Sequence, residues 1–263
     1  MFTVQQRDAV RDRMLRLAKE DGRVVAAAAV GSLALGGGDR YSDLDLTFAV
    51  RVETEIAGVL EDWTHTLADE LHAVLLLELE RGPTVYRVFL LPDALQLDLS
   101  LTPAARFRLA GPRFRLLFGV TAPGEPEVST PAATGSLFIN TAAVAADIFG
   151  WGVVYALHAC ACVGRGRLWQ AEHYVGAVRD HGLALACLRE GVTPVQARGY
   201  DDLVAATLAR FRDAHVGALE PLALRAALAA SAQALIREGA EMRLPCTEAV
   251  ADSIAELLDQ TSA

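Results

Sequence analysis

Cysteine, basic charge, aromatic rings and long apolar runs are all in short supply in this chain. The four cysteines are Cys160, Cys162, Cys187 and Cys246. None forms a Cys-x-x-Cys pair, and no histidine stands at zinc-finger spacing, which excludes a structural zinc module and a disulfide framework. Free, buried thiols are expected. Lys and Arg number 24 against 33 Asp and Glu, a net charge of −9. A surface of that sign repels phosphate backbones, which argues against a general nucleic-acid binder. It attracts cationic small molecules, although acidity for solubility alone is the commoner reason for such a balance. No unbroken apolar run reaches the 18 or so residues of a membrane span, and the N-terminus lacks the basic-then-apolar order of a signal peptide. A cytoplasmic protein without a membrane partner is expected. Aromatics make up only 6% of the 263 residues while the apolar share is 52%, so Ala, Leu and Val must build the core.

Those residues fall into two patterns. The N-terminal half alternates between helix and strand signals. Residues 7–20 place Val10, Met14 and Leu17 on one helical stripe, closed by Asp21-Gly22. Residues 24–30 read as a buried strand, residues 33–35 as a short helical turn broken by Gly36-Gly37-Gly38, and residues 45–50 as a second strand. A helix over 53–71, strands over 74–79 and 85–90 joined at Gly82-Pro83, and a strictly alternating strand over 95–101 follow. Gln96, Asp98 and Ser100 share the polar face of that last strand. Hairpin order after a βα unit implies a mixed sheet. Residues 103–131 read as transitional, crowded with Arg106, Arg108, Arg113 and Arg115. From residue 136 the pattern is helical: 136–163, 168–189, 201–214, 221–239 and 246–259, spaced as a bundle. The fold class is therefore α+β followed by all-α, with residues 1–130 as one domain and 131–263 as the second.

One stretch concentrates the chemistry. The strand ending at Val30 runs into Gly31-Ser32, a Gly-rich turn follows, and Ser42-Asp43-Leu44-Asp45-Leu46 opens the next strand. Successive strand side chains point to opposite faces, so Asp43 and Asp45 share one face while Leu44 and Leu46 enter a core. Carboxylates set side by side repel, and oxygen ligands of this kind suit Mg²⁺. Backbone N–H groups at Gly31-Ser32 can cradle phosphate.

An apolar residue, Gly-Ser, a spacer of about ten residues, Asp-apolar-Asp-apolar and a third Asp on a later strand (Asp98) together resemble the nucleotidyltransferase superfamily that shares a fold with DNA polymerase β. The added helical half makes the chain similar to its antibiotic, aminoglycoside-type members. The resemblance covers residues 24–101 by motif and the remainder by architecture only. It implies Mg²⁺ on Asp43, Asp45 and Asp98, and ATP held by Gly31, Ser32, Arg40 and Asp43. It also implies transfer of a nucleoside monophosphate, AMP, to a hydroxyl of a small, cationic acceptor in the manner of antibiotic resistance enzymes.

Asp98 or Glu172 would serve as general base. Glu172 is drawn in because Trp169, Glu172 and Arg179 fall near one helical face; the same trio also reads as a packed junction network, and both readings stand. Asp147, unusual in an apolar helix, is a further candidate for the acceptor side. Arg165 and Arg167 read either as charges that reach the triphosphate or as solvated loop charges, and His158, His173 and His181 read as structural. A homodimer is an expectation without a motif. Two other functions fit the acidic pattern: a protein-modifying (AMPylating) or antitoxin-type nucleotidyltransferase, and a non-catalytic nucleotide-binding module.

Overall fold

The computed structural model describes residues 1–34, 36, 38–108, 114–123 and 142–260. Two compact units divide the chain, Met1–Gly135 and Ser136–Ala263. The first is α+β around a mixed six-stranded sheet and the second is helical, the class and order that the sequence pattern predicts.

The first unit opens with α1 (Val4–Glu20). This helix begins before Arg7, because Thr3 and Gln6 form a capping box: the Gln6 amide donates to Thr3 Oγ1 (3.1 Å) and the Thr3 amide to Gln6 Oε1 (2.7 Å). Strand β1 (Val24–Val30) leads directly into the single turn α2 (Gly31–Ala34), and β2 (Leu44–Val50) follows the Gly-rich loop. Leu35 and Gly37 lie outside the described residues. A 3-10 turn at Glu53–Glu55 precedes α3 (Ile56–Leu71). Then come β3 (Val74–Arg81), β4 (Thr84–Leu91), β5 (Leu95–Pro103) and β6 (Phe114–Phe118).

The strand order is β3-β4-β5-β2-β1-β6. Every neighbouring pair is antiparallel except β2 with β5, which run parallel with Leu44 beside Leu97, Asp45 beside Asp98 and Leu46 beside Leu99. The alternation of β2 decides what faces the core. Leu44, Leu46, Phe48 and Val50 pack with Leu97, Leu99 and Leu101 of β5, and with Met14 of α1 and Val59, Leu60, Trp63 and Leu67 of α3. Phe48 meets Trp63 edge-on, with ring centroids 5.0 Å apart. The Trp63 indole donates to Asp21 Oδ2, so its one polar atom is satisfied in the core.

Two elements differ from the expectation. The alternation of β5 predicts a half-exposed strand, yet Gln96, Ser100 and Thr102 are buried along with its leucines. The strand lies inside the sheet, with both edges hydrogen-bonded, to β4 and to β2. The Arg-rich stretch contains β6, an edge strand that pairs with β1 through Ala29 beside Arg115 and Val30 beside Phe114. Phe114 and Phe107 pack with Ala26, Ala28 and Ala49 on the sheet's second face. Arg113 lies outside the described residues.

In the second unit α4 (Ala142–Gly164), α5 (Leu168–Glu190), α7 (Pro221–Glu241) and α8 (Thr247–Gln260) are the long helices. The first six residues of the helix expected over 136–163 lie outside the described residues. The helix expected over 201–214 is instead the short α6 (Ala205–Leu208) with a 3-10 segment, Ala209–Ala214. Leu203, Phe211 and Ala214 are buried there against Leu183, Ala186, Cys187 and Ala234. Glu190 fixes the start of α6, accepting from the Val204 amide (2.9 Å) and the Thr207 hydroxyl (2.6 Å). The fully buried Glu238 accepts from Arg189 Nε and Arg210 Nη1, both at 2.8 Å, and so ties α5 and the 3-10 segment to α7.

Among the described residues one helix, Ala143–Gly164, is long and apolar enough to cross a membrane by length and composition alone, and 61% of its most apolar stretch is buried within the protein. Cys160, Cys162, Cys187 and Cys246 are free.

Candidate functional site

The parallel pairing of β2 with β5 builds the site. It sets Asp45 next to Asp98 across one strand boundary. Asp43 stands two residues before Asp45 and on the same face. One carboxylate oxygen from each of the three lies within 4.8 Å of the others. Among the described residues this is the one group of three or more potential ligand side chains close enough to share an ion.

The electrostatics follow from that packing. Burial, reinforced by the charges of Asp43 and Asp98, pushes the Asp45 carboxyl up to about 8. Burial also raises Asp98, to about 6, against the opposing effect of the Gln96 side-chain amide, which donates to Asp98 Oδ1 at 2.8 Å. The pair therefore keeps a proton that two isolated aspartates would have lost, shared between Asp45 and Asp98. No Arg or Lys among the described residues forms an ion pair with any of the three. Three carboxylates, two of them held above their ordinary range by mutual repulsion and burial, fit a hard divalent cation with oxygen preference. Such an ion would favour the deprotonated forms.

Gly31 completes the wall opposite Asp45. Its φ of +67° lies in the left-handed region, and a Cβ placed there would strike Asp45 Oδ2. Both constraints demand glycine. The adjacent Ser32 Oγ is buried with no hydrogen-bond partner among the described residues. A buried hydroxyl without a partner is uncommon and marks a place where a polar ligand atom can dock.

The loop entering Asp43 is cross-tied. Asp39 Oδ1 accepts from the Tyr41 amide (2.9 Å) and the Ser42 hydroxyl (3.0 Å), and the Asp39 amide donates to Ser42 Oγ (3.0 Å). Beneath it lies Arg7, which the sequence offers only as one more charge on an amphipathic helix. It is 2% exposed, and its Nη1 donates to the carbonyls of Asp39 (2.7 Å) and Ser42 (3.3 Å). Arg40 is exposed on the same loop, where its guanidinium covers the Tyr41 ring at 4.7 Å and donates to the Tyr41 hydroxyl.

In the second unit Glu172 is half-buried on α5. Trp169 is 77% exposed and Arg179 pairs with its neighbour Asp180 at 2.9 Å. Asp147 is exposed on α4. Three of the histidines pack against aromatic rings, His158 and His173 edge-on to Tyr174 and His181 edge-on to Tyr155.

No family model and no curated protein matches the chain. Among solved structures, an aminoglycoside 6-adenyltransferase from Bacillus subtilis aligns with 94% of this chain and 96% of its own, at 12% identity and a TM-score of 0.28. A likeness that distant carries no argument about chemistry, so the functional reading rests on the residues described above.

Proposed function

We propose that this chain is a Mg²⁺-dependent nucleotidyltransferase that moves a nucleoside monophosphate, AMP from ATP, to a hydroxyl of a small cationic molecule of the aminoglycoside type. The observation that carries the reading is the acidic triad of Asp43, Asp45 and Asp98 beside a glycine-walled turn whose Ser32 hydroxyl is buried and unpartnered among the described residues. That combination matches the motif order by which the sequence resembles the nucleotidyltransferase superfamily.

Asp43, Asp45 and Asp98 would hold the metal. Bound there, Mg²⁺ would neutralise charge on the triphosphate and polarise the α-phosphorus. Ser32 Oγ and the backbone amides of Gly31 and Ser32 would take a phosphate oxygen, with the glycine leaving the main chain open to close approach. Arg40 would contribute a charge from the loop. The carboxylate of Asp98, or that of Glu172, would accept the proton of the attacking hydroxyl. Residues 1–130 would form the catalytic domain and residues 131–263 the acceptor-binding domain, in a cytoplasmic enzyme. The net charge of −9 favours a cationic acceptor and disfavours nucleic acid.

The test is pyrophosphate release from ATP, GTP, CTP and UTP against an aminoglycoside and lincosamide panel. Turnover is expected with one nucleotide and one acceptor class, and Asp43→Ala and Asp45→Ala are expected to abolish it while the protein stays folded. Full activity in the double variant, or no release with any pair, would refute the proposal.

A further inference from the structure

Arg7 is a buried guanidinium with unusual company. Its nearest carboxylate is that of Asp8, 3.7 Å from Nε and well exposed to solvent, too long and too wet to neutralise it closely. Its Nε has no hydrogen-bond acceptor among the described residues. What it does contact is backbone: Nη1 bridges the carbonyls of Asp39 and Ser42, the two ends of the cross-tied loop. Ser42 precedes Asp43 directly. Gly38 leaves space for this arrangement, since a Cβ there would lie 3.1 Å from Nη1 and 3.2 Å from Nη2, besides colliding with Leu33 of α2. A single side chain on α1 thus touches the loop that starts beside the Ser32 turn and ends at the acidic triad. Burying a charge this deeply is costly, and two backbone carbonyls on a surface loop are a small return in stability alone.

We propose that Arg7 is a positioning residue. It holds the Asp39–Ser42 turn so that the carboxylate of Asp43 is delivered to Asp45 and Asp98, and without it Asp43 leaves the cluster. This rests on the reading of the triad as a metal site. Removing Arg7 lets the turn open while the sheet that carries Asp45 and Asp98 stays intact. The site then loses one of three ligands instead of collapsing.

The test compares Arg7→Met and Arg7→Lys with the unaltered full chain. Hydrogen exchange in metal-free protein reads the loop itself, and Mn²⁺ titration followed by its electron paramagnetic resonance signal reads the triad. In Arg7→Met, exchange of the Asp39, Tyr41 and Ser42 amides is expected to rise about tenfold or more while β2 and β5 amides keep their protection. Mn²⁺ affinity is expected to fall by about tenfold, the usual range for loss of a residue that orients a ligand. Arg7→Lys keeps the charge and a donor, and is expected to fold as the parent does and to give a smaller shift in both readouts. Wild-type exchange in the loop of both variants, or a rise spread evenly over α1, β2 and β5, would overturn the proposal. Should the unaltered protein bind no Mn²⁺, the metal reading fails, and the exchange pattern alone decides whether Arg7 holds the turn.

Discussion

Replacing Asp45 with asparagine should stabilise the metal-free protein and destroy its response to metal. In the folded chain this carboxyl is raised to about 8 by burial and by Asp43 and Asp98, against an ordinary value of 3.8. A folded-state pKa above the unfolded one means that the folded form binds more protons between those limits. Stability is then full below the ordinary value and falls as the pH rises towards 8. At about 1.4 kcal/mol per pH unit, ionising an isolated group of this kind would cost about 4 kcal/mol by pH 7. Asp45 and Asp98 share the proton, so the cost belongs to the pair, and the Asp45→Asn substitution would recover roughly half of it, about 2 kcal/mol. For a unit of this size that is a rise of about 5 °C in the midpoint. The assay is thermal unfolding in EDTA at pH 5 and pH 7.5, then with Mg²⁺. In EDTA the Asp45→Asn advantage should be small at pH 5 and larger at pH 7.5. With Mg²⁺ at about a hundred times its dissociation constant, the parent gains about 2.7 kcal/mol and the variant none, so the order reverses. A variant less stable than the parent in EDTA at pH 7.5, or a difference independent of pH, would refute the electrostatic argument.

Other outcomes follow from the same structure. Gly31→Ala adds a Cβ against Asp45 Oδ2 at a positive φ, so it should lower stability by about 2 kcal/mol and weaken Mn²⁺ binding, read by denaturant melts and metal titration. Glu238→Ala removes the buried acceptor that Arg189 and Arg210 share but leaves both paired with Glu241, at 3.2 and 2.7 Å, so it should cost about 2 kcal/mol in urea unfolding while leaving Mn²⁺ affinity unchanged. Gln96→Leu removes the amide that holds Asp98 down, so the pH midpoint for Mn²⁺ binding should move upward, whereas an unmoved midpoint would rule out that role.

Local patterns carry the N-terminal half. The alternation around Leu44 and Leu46 marks β2 and puts Asp43 and Asp45 on the opposite face, and the alternation of residues 95–101 marks β5. The meeting of Asp45 with Asp98 needs strand order, which no local pattern contains, and so does the burial of Gln96 and Ser100. Strand β6 has little local signature because it is only five residues long and Arg115 interrupts its apolar run, as edge strands tolerate. Arg7 is hidden in a helix rich in charge, where nothing local separates a buried guanidinium from a solvated one. The helix expected over residues 201–214 gives way to α6 and a 3-10 segment because Glu190 and the packing of Phe211 outweigh helical propensity there.

The parallel contact between β2 and β5 also bears on how the sheet finds its alignment. Sliding β5 by one residue along β2 would turn Leu97 and Leu99 outward and drive Asp98 and Gln96 into the apolar layer under Trp63. The acids suited to hold a cation thus penalise every odd misalignment of the two strands that present them. A chain in which they were replaced by leucines would gain burial and lose that proofreading, and slipped, aggregation-prone sheets would be its characteristic failure.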